Sequence, residues 1–398
     1  MVAGQPALEG GTPVRAGTPV PFYRASITDG DVEAVATTLR SGWLTLGPRV
    51  GEFEAAIAAH TGSPHAVATS SCTTALFLAL RAFGVGPGDE VIVPSLTFAA
   101  TVNTVLHCGA TPVLADIELE SFGLDPEAVA ALLTSRTRGI VTVDYAGHPS
   151  KVDALRDLAR AHGLFLLEDA AHSFGAALGG QPVGSLADAT AFSFYATKCI
   201  TTGEGGMLTC ADAGLEHQVR LLGYHGMARD AWRRYSERGS WYYEVELPGY
   251  KCNMTDVQAA LGLSQLQREP ELRASRRAVA ATYLAGLAGE PALELPAVRP
   301  GAEHAWHLFV IRLRTDALRC DRDRFARALR EEGIVPSVHF IPYHRHPVGR
   351  AVERRGPLAR TDDFAARCLS LPLFPHMPPE DLRDVVEALS KLLRYYAR

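Results

Sequence analysis

Apolar residues along the chain follow two rhythms that alternate. Short, almost wholly apolar runs are separated by stretches where apolar positions fall at helical spacing. Val32, Val35, Ala36 and Leu39 lie at i, i+3, i+4 and i+7, after a Ser26–Asp29 start and before Gly42. That spacing predicts a helix stopped by Gly42. A second helix is expected over 50–60. The run 65–69 reads as a strand and leads into a helix over 75–83. Further strands are expected at 90–94, 112–116, 139–145, 164–167, 189–195 and after Gly206, with helices between them near 125–134 and 150–162. Strands alternating with helices predict an α/β domain, with a mostly parallel sheet covered by helices on both faces. Residues 225–250 break the rhythm with a polar and aromatic loop. Helices then follow from Thr255 and over 270–287.

Beyond residue 290 the pattern changes. Strands are expected at His304–Leu313, 334–341 and 369–373, with helices over 321–332 and from Pro379, which describes a small α+β domain. The division predicted is a lead-in over 1–25, a large domain over 26–288 and a small C-terminal domain over 289–398.

Composition narrows the function only by exclusion. Apolar residues make up 47% and charged residues 21% of the 398, with a net charge of −5. No basic surface for nucleic acid is expected. No apolar run is long enough for a membrane span. The amino terminus does not have the pattern of a signal peptide. Seven scattered cysteines with no C-x-x-C fit reduced thiols and a cytoplasmic location. His339, His344 and His346 stand close in sequence, but no carboxylate stands among them, so no metal site is expected.

The candidate chemistry sits at the carboxyl ends of the predicted strands, where an open α/β sheet gathers its ligands. Small hydroxyl residues at Ser70–Thr74 expose backbone N–H groups at a helix start, a ready anion site that includes Cys72 and Thr73. Phe98 follows the 90–94 strand, where a flat ring can stack on it. The run 164–167 delivers Glu168 and Asp169, and the 189–195 strand delivers Lys198. Each residue alone is an ordinary cap, core aromatic or loop lysine. Together they match the needs of pyridoxal 5'-phosphate (PLP): a lysine for a Schiff base, an acid at the pyridine nitrogen and an anion cradle.

Read whole, the chain resembles the DegT/DnrJ/EryC1/StrS family of PLP-dependent sugar aminotransferases. The stretches that carry the resemblance include SGWLTLGPRVGEFE, SSCTTALFLAL, PSLTFAATVN, LLEDAAHSFGA, SFYATKCITTGEGGML, GYKCNMTDVQAALGL and VHFIPYH, in that order. The resemblance implies the type I PLP fold and a homodimer with shared active sites. It also implies Lys198 as the Schiff-base lysine and Asp169 at the pyridinium. His172 would lie near the ring, Phe98 would stack on it, and Cys72, Thr73 and Ser193 would hold the phosphate. Lys251 and Asn253 would reach the neighbouring subunit's phosphate. Trp43, Thr45, Tyr195 and His339 fall where the family handles the sugar. Cys72 stands where many members have Gly, Lys251 where many have an amide, and Asp144 where many have His.

The expected reaction moves an amino group from glutamate to a nucleotide-linked keto sugar, favoured as a dTDP-4-keto-6-deoxyhexose. The alternatives are a keto-cyclitol acceptor or a non-catalytic PLP-binding regulator. A sugar dehydratase of this family would carry His in place of Lys198.

Overall fold

The computed structural model describes residues 4–227 and 242–398, so part of the expected 225–250 loop lies outside the described residues. Eight strands form the main sheet: β1 (His65–Thr69), β2 (Glu90–Pro94), β3 (Thr111–Ala115), β4 (Thr137–Val143), β5 (Phe165–Asp169), β6 (Ala189–Ser193), β7 (Gly206–Cys210) and β8 (Glu353–Arg354). Their order is β1-β7-β6-β5-β4-β2-β3-β8. Only β7 runs antiparallel to its neighbours. All other strands therefore end at one edge, where β7 begins.

Period-two alternation splits the strand residues between two apolar clusters. Val91, Val93, Val141, Leu167 and Leu208 face one layer, with α3 (Cys72–Ala82), α4 (Ala99–His107) and α7 (Ala213–Gly223). Ile92, Ile140, Leu166 and Met207 face the other, with α2 (Pro48–Thr61), α5 (Pro126–Leu132), α6 (Val152–Ala161) and α8 (Asp256–Gln267). Burial on both faces is why these strands read as continuous apolar runs. α1 (Asp29–Ser41), α3 and α8 each open on a capping box, Thr28 with Asp31, Ser71 with Thr74 and Thr255 with Gln258. Each box satisfies two otherwise orphaned groups at the helix start.

A second, antiparallel sheet has Phe309–Leu313 at its centre, between Leu293–Glu294 and Cys368–Leu371. It shares a core with α9 (Glu269–Gly286), α10 (Arg322–Glu331) and α12 (Pro379–Tyr396), through residues such as Tyr283, Phe325 and Leu389. The described part of the lead-in is bound to this region. Ala7 and Val14 donate N–H bonds to the buried Glu332, and Arg15 pairs with Asp381 and Asp384.

Several expected elements differ. The 334–341 strand does not form; only Ile334 and Ser337 make isolated bridges, to Val20 and Ser370. Pro336 and Pro342 remove the donors a ladder needs. The strand expected from His304 begins at Phe309, because Trp306 adopts φ 52° and the N–H groups of Ala305 and Leu308 turn to Gly147 and Ala146. The strand expected to reach Tyr195 ends at Ser193, since the Phe194 N–H bonds Gly205 across the next loop. β8 and α11 (Ala359–Arg367) were not anticipated.

Candidate active site

A cavity of about 360 Å³ opens at the edge where the parallel strands end. Cys72, Thr73, Phe98, Asp169, His172, Ser193, Tyr195, Lys198 and His339 all line it. The sheet register brings them together. Thr69 and Ser193 both pair with Gly206, and Asp169 pairs with Ala191 two residues before Ser193.

The anion cradle is the start of α3. Ser71 Oγ accepts the Thr74 N–H at 3.1 Å, and Thr74 Oγ1 accepts the Ser71 N–H at 3.0 Å. The helix's own pattern gives the N–H groups of Cys72 and Thr73 no intrahelical acceptor, which leaves them to a ligand at the positive helix end. A Cβ on Gly206 would crowd the Ser71–Cys72 backbone, so this glycine lets the chain pass close to the cradle, while a Cβ on Gly205 would crowd Thr202 and Met254.

Asp169 ends β5 and is 5% exposed. Its Oδ2 accepts from Thr101 Oγ1 at 2.7 Å, and its Oδ1 from the Ala171 N–H at 3.2 Å, with the Cys72 thiol 3.9 Å away. Burial raises its pKa, while Thr101, Ala171, Lys198 and Cys72 pull the other way.

Lys198 sits in a loop that bonds to itself: Phe194 N–H to Gly205, Thr202 N–H to Phe194 and Gly203 N–H to Thr201. This explains the Thr- and Gly-rich sequence after the lysine. Two outside groups fix the loop. The Tyr23 hydroxyl donates to the Ala196 carbonyl, and Arg276 Nη1 donates to Cys199 at 2.9 Å. Burial pulls the Lys198 amine down to about 8, opposed by Cys72 and Asp169.

Three imidazoles complete the wall. His172 packs against His307 at 4.6 Å and stacks on Phe340 at 5.7 Å between centroids. Burial holds all three rings, His172, His307 and His339, below the ordinary histidine range, with Lys198 adding to each shift. They are neutral at physiological pH. His172 Nδ1 is buried and has no partner among the described residues.

These features fit PLP. They offer unpaired N–H groups at a helix start, a carboxylate and an amine on one cavity, and an orphaned ring nitrogen that a ligand can satisfy.

Other expected residues lie elsewhere in this chain. Trp43 donates its indole N–H to Leu46, the Thr45 carbonyl accepts the Asp256 N–H, and neither lines the cavity. Lys251 Nζ lies 4.2 Å over the Tyr224 ring, and Asn253 bridges Thr69. The Cys252 carbonyl between them accepts the Ser70 N–H, so this strap braces the approach to the cradle from outside. His344 holds Ser95 and a carboxylate, Asp362, that sequence spacing did not place near it, while His339 holds Ser370. Phe22, Tyr23, His307 and Phe340 line the cavity and were not foreseen as site residues.

Residues 25–390 match the family model described as the DegT/DnrJ/EryC1/StrS aminotransferase family. The spore coat polysaccharide biosynthesis protein SpsC of Bacillus subtilis is 46% identical over 378 residues, 94% of this chain and 97% of that protein. A solved structure from Streptococcus pneumoniae, in its PLP form, is 33% identical with TM-score 0.86, covering 95% of this chain and 99% of that one. DesI, solved in the presence of its TDP-sugar product, is 34% identical with TM-score 0.85, covering 96% and 94%. With this cavity at the carboxyl edge of this sheet, the chain belongs to the DegT/DnrJ/EryC1/StrS family of PLP-dependent sugar aminotransferases, enzymes of the type I fold.

Proposed function

We propose that the protein transfers the amino group of glutamate to a nucleotide-linked keto sugar, a dTDP-4-keto-6-deoxyhexose, in deoxyamino-sugar biosynthesis in the cytoplasm. The observation that carries the reading is the meeting of Lys198, Asp169 and the Ser71–Thr73 turn on one cavity. Similarity to a polysaccharide biosynthesis protein, and to DesI with its TDP-sugar product, supports a sugar nucleotide as the acceptor class.

Bound PLP supplies the electron sink that a carbanion at the substrate carbon requires. The roles proposed for the chain's own residues follow. Lys198, with an amine pulled down to about 8, is the covalent anchor and afterwards carries the proton to and from the substrate carbon. Asp169 holds the proton at the ring nitrogen. The Cys72 and Thr73 N–H groups and Ser193 take the phosphate. Phe98 and His172 pack on the ring, and Tyr195 and His339 face the sugar. Trp43, Thr45, Lys251 and Asn253 serve the cavity of a second copy, so the working unit is a homodimer with shared sites. Its large part is 26–288 and its small part 289–398.

The test is to incubate the PLP-loaded protein with glutamate and a panel of nucleotide-linked keto sugars and keto-cyclitols, reading amine formation by mass. An amine on a dTDP-4-keto sugar is expected. Turnover of cyclitols alone overturns the acceptor assignment, and no turnover with any acceptor favours a regulatory PLP-binding protein. Light scattering that shows a monomer at working concentration contradicts the shared site.

A further inference from the structure

Asp169 is the group on which the proposed chemistry turns, and what holds it is a pair of hydroxyls in series. Thr101 Oγ1 lies 2.7 Å from Asp169 Oδ2, and Thr97 Oγ1 lies 2.6 Å from Thr101 Oγ1. Thr101 is fully buried and Thr97 nearly so. We infer that Thr101, oriented by Thr97, is the positioning residue that keeps the Asp169 carboxylate ionised and aimed at the cavity; the inference rests on the proposed role of Asp169.

Hydrogen count fixes the direction of the chain. An ionised carboxylate only accepts, and a threonine hydroxyl has one proton. Thr101 therefore gives its proton to Asp169, and Thr97 must give its own to Thr101. The Thr101 proton points at the carboxylate and the Thr97 proton at Thr101 Oγ1, and donors in series strengthen one another. A threonine inside a helix commonly turns its hydroxyl back to its own helix's carbonyls. Thr101, in the first turn of α4, makes no such bond to its own helix and reaches across to β5 instead. That turn is also the positive end of the α4 helix, which favours negative charge beside it. The Ala171 N–H holds the other oxygen at 3.2 Å. The Cys72 thiol, 3.9 Å away, is a third and weaker donor to that same oxygen, and the Lys198 amine also acts on the carboxylate. Three donors on two oxygens still leave accepting capacity for a proton on the cavity side.

Removing the hydroxyl while keeping the β-branched shape isolates this role. Thr101→Val leaves burial with one donor fewer, so Asp169 protonates more readily as pH falls. A protonated acid no longer stabilises a charged ring nitrogen. The experiment compares Thr101→Val, Thr101→Ser, Thr97→Val and Asp169→Asn in the full-length protein. It measures kcat and KM of the loaded enzyme, and PLP affinity of the apoprotein from pH 6 to 8.

For Thr101→Val, loss of a hydrogen bond to a charged group predicts a kcat lower by about 10- to 100-fold with KM within about threefold. Its PLP affinity should fall more steeply than wild type towards pH 6. Thr101→Ser should restore both, and Thr97→Val should give a loss of about threefold with the same pH trend. A wild-type pH profile and kcat in Thr101→Val overturn the inference, as does a loss that Ser does not repair. Should Thr101→Val fail to fold, an unchanged profile in Thr97→Val overturns it equally. If Asp169→Asn is silent as well, it is the role of Asp169 that fails; if Asp169→Asn is inactive and Thr101→Val is not, only the present inference fails.

Discussion

Gly206 lies so close to Ser71 that a Cβ on the glycine would sit 2.3 Å from the Ser71 carbonyl carbon and 2.5 Å from the Cys72 nitrogen. The obstacle is backbone, which cannot rotate aside as a side-chain tip can. Gly206 is also held in the ladder between Thr69 and Ser193. The start of β7 thus presses on the turn that presents the Cys72 and Thr73 N–H groups. Gly206→Ala must move that turn. We expect PLP affinity of the apoprotein to fall by about tenfold or more, with an overpacking cost of about 1–3 kcal/mol in unfolding free energy. Equilibrium dialysis and denaturant melts check both. Unchanged affinity would show that the turn is not the phosphate cradle.

The amine of Lys198, pulled down by burial to about 8, sets a pH dependence for cofactor capture. Only the neutral amine attacks an aldehyde. Mixing apoprotein with PLP should therefore give a capture rate that climbs about tenfold per pH unit below the break near 8 and levels above it. Lys198→Ala should still bind PLP, but borohydride should fix no cofactor to it. A rate that climbs unbroken to pH 10 contradicts a depressed pKa. Borohydride labelling in Lys198→Ala contradicts the anchor.

Arg276 is buried and spans two parts of the site. Its Nη1 donates to Cys199, next to Lys198, and its Nε donates to Ala305 at 3.3 Å, two residues before His307. Lysine has no fork with which to reach both carbonyls. Arg276→Lys is expected to cost about 1–3 kcal/mol of stability through an unsatisfied carbonyl and to lower kcat about tenfold. Thermal unfolding and steady-state rates on the same preparation measure both; a neutral result on both means the fork does not position the lysine loop.

The residues legible in the sequence were those whose place follows from local pattern. Asp169 and Lys198 each come at or just past the end of an apolar run, and the sheet then brings such ends together. The cradle was legible because the small hydroxyl residues of Ser70–Thr74 stand between an apolar run and an apolar helix. His307, Tyr23 and Phe340 were not legible as site residues. They reach the cavity from segments whose course is set by contacts distant in sequence, as where Ala305 and Leu308 bond Gly147 and Ala146. Thr101 is similar: nothing at its own position distinguishes a hydroxyl that serves Asp169 from one that caps a helix. The expected strand over 334–341 misled because its apolar residues resemble a strand, while Pro336 within it and Pro342 just past it lack the N–H donors of a ladder. β8 was missed because two exposed charged residues, Glu353 and Arg354, carry no apolar signal.

A last consequence concerns Asp144 and Glu168, which are fully buried on neighbouring strand ends behind Asp169. Ser150 N–H and Ser173 Oγ donate to Asp144, Thr190 Oγ1 donates to Glu168, and each carboxyl group acts on the other's titration. Glu168 Oε1 has no donor among the described residues. One proton shared within the pair is what makes such a contact tolerable. Burial pushes Asp144 up to about 6 and Glu168 well above the carboxylate range. Unfolded, both titrate near pH 4. The native state therefore holds more protons than the unfolded one from about pH 4 upwards, and the Asp144 share of this stabilisation is lost as pH rises through about 6. Asp144→Asn removes the titration yet keeps an acceptor for the Ser150 N–H and gains a donor for Glu168. Relative to wild type, the variant should gain on the order of 1 kcal/mol between pH 5 and 7. Denaturant unfolding at both pH values measures the difference, and a constant offset between the two proteins would mean that the pair does not share a proton.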